Sequence, residues 1–143
     1  MEETQDPNKG KDFFLGIAKS FLKLLNLPMI TTKEDAEGLI AGFDPMVDEL
    51  TKSMKETGNL YSSETILLLG SALGEAFILS FGGEWHYSEK QKRWVILAPM
   101  KDGTNAELNV FRKVLNRVEN GMEDSISFYF ESTKKILNGE LGI

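Results

Sequence analysis

The stretch SETILLLGSALGEAFILSF, residues 63–81, constrains this chain more than any other. Ile66, Leu69, Leu73, Phe77 and Phe81 recur at three- and four-residue steps, while Leu67, Leu68, Ile78 and Leu79 fill the other sides. A helix apolar on nearly every face has to be enclosed on most of them, so the pattern predicts a central helix around which a domain packs. Ser62 or Ser63 can cap it, with Glu64 well placed in its first turn. Gly70 and Gly74 lie one turn apart on one face. A glycine inside a helix costs about 1 kcal/mol relative to alanine. The pair therefore predicts close approach of another helix or of a sheet, with a wall against a ligand or partner as the alternative.

Glu75 is the one charge between Leu67 and Gly83. An unpaired carboxylate in an enclosed helix is very costly. It is expected to accept from loop amides or to pair with Arg112 or Arg117. The functional alternative is a pocket carboxylate of raised pKa, serving as general base or ligand anchor.

Past Phe81 the period changes. Gly82 and Gly83 supply the positive φ of a sharp turn from helix into strand. A phosphate loop is excluded, because such loops run from a strand into a helix. EWHY and RWVIL flank the polar SEKQK and predict a hairpin over 84–97. Pairing Ser88 with Arg93 places Tyr87 opposite Trp94 and Trp85 opposite Ile96, all four on one face. Trp85, Tyr87 and Trp94 then serve as core or as a binding surface, where aromatic residues are enriched. Glu84 and His86 project together from the strand. They could give two metal ligands, but no cysteine and no second histidine exists to complete a site, so no metal is expected. A third strand is expected near 106–109.

Around this centre, helices are expected at about 12–25, from the capping box of Thr31 and Glu34 to Gly42, and from Asp44-Pro45 to Gly58. Two more follow the sheet. Asn109 can cap the first, which stops at Asn120-Gly121, and Asp124 or Ser125 starts the second. Arg112, Lys113 and Arg117 read as a solvated basic strip. Residues 1–9 read as a disordered acidic tail and 10–143 as one α+β domain: N-terminal helices, a buried central helix, a small antiparallel sheet and two C-terminal helices.

The formal charge of −6 argues against nucleic acid, whose binding needs a cationic surface. The acidic start does not resemble a signal peptide, no transmembrane segment is expected, and the cytoplasm is the expected address. Peripheral membrane contact through residues 13–25 is the lesser reading of a wide apolar arc. No G-x-S-x-G elbow or nucleophile constellation is present, and no cofactor is expected.

The runs LGSALGEAFILSFGGEW, RWVI and NVFRKVLNRVENGMEDSISFYFES together resemble small bacterial proteins of unknown function, of the DUF3806 type. These share an L-G-x-x-L-G-E helix, a G-G-x-W turn and an N-G-x-x-D-S run. The resemblance implies a compact bacterial α+β domain and carries no activity. The expected function is non-enzymatic binding of another protein, or of a second copy, by an accessory or immunity-like factor using Trp85, Tyr87, Trp94, Glu84 and His86. The alternative is a small-molecule binder or enzyme with a pocket between central helix and sheet that uses Glu75.

Overall fold

Helix α3 (Ser63–Phe81) stands at the centre of the fold, packed by α1 (Pro7–Leu24), α2 (Lys33–Glu56), α4 (Val110–Asn120) and the sheet. The computed structural model describes residues 7–58 and 62–140. A three-stranded antiparallel sheet follows α3 in the order β1 (Glu84–Ser88), β2 (Arg93–Pro99) and β3 (Asn105–Leu108), and α5 (Ile126–Leu137) closes the chain. This is the expected α+β arrangement, with helices flanking a small sheet. By length and composition α3 is the one described helix that could cross a bilayer, and half of that stretch is buried inside the protein.

The hairpin has the register that its hydrophobic alternation requires: Trp85 opposite Ile96, Tyr87 opposite Trp94, and Ser88 opposite Arg93. Trp85 and Ile96 are buried against the helices. The turn from α3 into β1 uses positive φ at both glycines, 79° at Gly82 and 102° at Gly83. At Gly83 space is limiting as well, since a Cβ would lie 2.4 Å from the Leu97 carbonyl oxygen. Gly121 also has a positive φ, and Ser125 caps α5.

Several boundaries differ from expectation. Helix α1 begins at Pro7, inside the expected tail, because proline suits a first helical position where its missing N–H costs nothing. Residues 1–6 of that tail lie outside the described residues. The helix ends as expected at Asn26, whose φ of 60° completes a Schellman turn, with Leu27 N–H donating to the Leu22 carbonyl. The capping box is one residue later than expected. Thr32 caps the Asp35 amide, and the Asp35 carboxylate accepts from the Thr32 amide in return.

The larger correction concerns α2. The expected break at Gly42 and restart at Asp44-Pro45 do not occur, and one helix runs through both, with Pro45 inside it. Proline within a helix forfeits one backbone bond at a cost of about 3 kcal/mol. Burial of Ile40, Phe43 and Val47 on the same helix acts against that cost. Asp44 caps nothing on its own helix. Its carboxylate accepts from Arg117 Nε at 2.7 Å, from the Ser125 hydroxyl at 2.9 Å, and from the Ile126 and Ser127 amides at 3.0 and 3.1 Å. It therefore caps the start of α5 from across the fold.

Arg117, expected on a solvated strip, is 1 % exposed. Its second anchor is Asp48, which accepts from Nη2 at 2.6 Å. Burial alone would raise the Asp44 pKa, but these donors outweigh it and hold the carboxyl below its usual value. The remainder of the strip stays near the surface, with Arg112 exposed and Lys113 paired to Asp124 at 3.6 Å.

Candidate functional site

An apolar groove of about 930 Å³ runs between the hairpin, α1, α4 and the first turns of α3. Phe13 and Phe14 come from α1, Tyr87 and Trp94 from the hairpin, and Phe111 from α4. Ile66, Leu67 and Leu115 complete the apolar lining, and Lys92 and Arg93 stand exposed on the rim.

The aromatic wall exists because three glycines leave room for it. Phe14 is its hub, with ring centroids 4.2 Å from Trp85, 5.6 Å from Trp94 and 5.5 Å from Phe111. A Cβ on Gly74 would lie 2.3 Å from the Trp85 ring, one on Gly70 would lie 2.2 Å from Phe111, and one on Gly10 would lie 2.3 Å from Trp94. The close approach expected at Gly70 and Gly74 is thus made by aromatic side chains of β1 and α4. The rings occupy places on the helix surface that a methyl group would close.

Glu75 holds this wall from behind. Its Oε2 accepts from Trp85 Nε1–H at 2.7 Å, and among the described residues neither loop amides nor Arg112 or Arg117 bond to it. Burial raises its pKa above the ordinary 4.5, while the indole bond and the charges of Lys11 and Lys19 pull the other way. The net direction is upward, so the folded state holds this proton more tightly than the unfolded chain does. Stability from that group is full below pH 4.5 and falls as pH rises through the folded value. Glu75→Gln keeps an acceptor for the indole and removes the titration. Urea denaturation of this variant should lose the part of the wild-type decline that sets in above pH 4.5. Glu75→Leu leaves the indole N–H without its acceptor and should cost about 1–3 kcal/mol.

The residues singled out from the sequence separate into three places. Tyr87 and Trp94 line the groove and meet edge to face, with centroids 5.8 Å apart. Trp85 is fully buried beneath them, with Glu75 behind it, and neither lines the groove. Glu84 and His86 alternate with Trp85 and Tyr87, so they point from the other face of the sheet. That face carries Glu107, which accepts from Ser88 Oγ at 2.8 Å and Gln91 Nε2 at 2.7 Å. Among the described residues no three histidine or carboxylate groups gather as a metal site requires.

Sequence reasoning missed Gly10, Phe13, Phe14 and Phe111 as parts of one site. Each sits in a helical pattern where inward and groove-facing directions look alike. In comparisons with family models, curated proteins and solved structures, the chain matches none.

Proposed function

We infer that this chain is a non-enzymatic binding protein whose aromatic groove receives an apolar segment of another polypeptide. One observation carries the reading: five described aromatic side chains, two from α1, two from the hairpin and one from α4, converge on an open groove, and of these only Phe14 is buried. Phe13, at its edge, is 53 % exposed. Aromatic residues and arginine are the residue types enriched at protein interfaces, and a contiguous exposed apolar surface of this kind marks interaction sites. Among the described residues, Lys92 and Arg93 are the only charged ones in the lining, and both are cationic. A segment presenting bulky apolar anchors beside an aspartate or glutamate meets both features. The acidic protein surface elsewhere would repel such a segment, which directs it to this rim.

Selection from a displayed random-peptide library should enrich sequences with two or more large apolar residues flanked by a carboxylate. Trp94→Ala should weaken the best of them by about 2 kcal/mol or more, the loss typical of a central aromatic contact. Enrichment of peptides that bind Trp94→Ala equally well would refute the reading.

A second reading is favoured by the groove's size, which falls within the range of small-molecule sites. An apolar carboxylate could lie on the rings with its charge at Lys92 and Arg93. Glu75 would have no direct part in it, being committed to Trp85.

A further inference from the structure

A second groove, of about 670 Å³, lies between α2 and the segment that follows α1. Leu25, Leu27 and Ile30 form one side, and Leu39, Met46 and Leu50 of α2 the other. It differs from the first groove in two respects. Every charged residue in its lining is acidic: Glu34, Asp35 and Glu49. Its α2 wall also contains Gly38 and Gly42, one turn apart, and no described atom lies within 4 Å of where their Cβ atoms would be.

The second difference requires an account. Gly10, Gly70 and Gly74 each seat an aromatic ring, whereas Gly38 and Gly42, like Gly16 on α1, have no described atom near their Cβ positions, and of these three only Gly38 and Gly42 lie on a groove wall. Both nevertheless stand inside a helix, where alanine would serve the fold better. A bare backbone strip on a groove wall is what a second helix needs in order to pack at close range. Glu34 and Glu49 are fifteen positions apart on α2, about 22 Å at the helical rise. Asp35 is engaged by Thr31 and Thr32, which leaves those two exposed carboxylates without a partner among the described residues, one near each end.

We propose that this groove docks a basic amphipathic helix of about four turns, its apolar stripe laid along Gly38 and Gly42 and its lysines or arginines meeting Glu34 and Glu49. A second copy of this chain is a poorer occupant, because two surfaces of the same net negative charge repel. The proposal is independent of the aromatic groove and of what binds there.

The test uses a fluorescein-labelled peptide of about 15 leucines and lysines arranged as one helical stripe, with a scrambled peptide of equal composition as control. Fluorescence anisotropy should show the striped peptide binding at least about tenfold more tightly than the scrambled one. The double variant Gly38→Ala/Gly42→Ala should have a melting temperature higher by about 4–8 °C, since it gains helix propensity in open space. The same variant should bind the striped peptide about tenfold more weakly, because the added methyl groups hold the helix away. Trp94→Ala should leave this binding unchanged. Equal binding of striped and scrambled peptides, undiminished affinity in the glycine variant, or loss of binding in Trp94→Ala would each overturn the proposal.

Discussion

Replacing Trp85 with alanine is expected to lower unfolding stability by about 3–5 kcal/mol, the range for deleting a large buried aromatic side chain. Three supports of the fold meet on this ring. Phe14 packs on it at 4.2 Å, Phe111 stacks at 5.6 Å, and its N–H satisfies Glu75. Truncation opens a cavity against Gly74, which has no side chain to refill it, and leaves a part-buried carboxylate without its donor. Typical domains have about 5–15 kcal/mol in total, so the loss is a large part of the whole. Denaturant titration measures it directly. Gly74→Ala probes the same contact from the other side. Alanine gains about 1 kcal/mol in helix propensity, but its Cβ would overlap an indole already packed against Phe14 and Phe111, and overpacking costs about 1–3 kcal/mol. A stabilised Gly74→Ala variant would mean that the ring is not seated on the helix.

Asp44→Ala should cost a similar amount, about 3–5 kcal/mol, because it breaks a buried ion pair, removes one of the two carboxylates on Arg117 and uncaps α5. Arg117 would keep only Asp48 and the Asp44 backbone carbonyl as oxygen acceptors. The start of α5 would lose the acceptor for two amides and the Ser125 hydroxyl. The pH dependence distinguishes this from simple loss of packing. The Asp44 pKa is depressed, so its stabilisation is present above the usual value of 3.8 and is lost as pH falls through the lower folded value. The variant should therefore start weaker at neutral pH and lose less on further acidification than the wild type. Parallel curves for the two proteins would contradict the network.

These two sites show where a sequence speaks and where it stays silent. The hairpin was legible to the residue, because alternation in EWHYS and RWVIL allows one register that keeps Trp85 and Ile96 on the covered face. The central helix was legible from its lack of a polar side. Asp44-Pro45 was not. A local capping pair and a buried acid inside a continuous helix share the same letters, and the partner that decides between them is 73 residues away. Arg117 left a trace: it follows Val110 and Val114 by seven and three positions, on the buried stripe of α4. The groove was half legible. The aromatic hairpin suggested a surface, but its second wall depends on Gly10 and Gly70 accepting rings from distant elements. Neither composition nor period encodes such a pairing. A surplus of large aromatics matched by helix-interior glycines is the one signal that could have been used.

The aromatic groove as the binding site rests on Trp94 being reachable while Trp85 is sealed, and the chain has only these two tryptophans. Two-dimensional ¹H–¹⁵N NMR of the protein with a library-selected peptide resolves the two indole N–H signals. The Trp94 signal should shift progressively as peptide is added, together with the amides of Lys92 and Arg93, while the Trp85 indole keeps its bond to Glu75 and moves little. A peptide that binds without moving the Trp94 indole, shifting instead Glu84 and His86 on the opposite face of the sheet, would contradict the account.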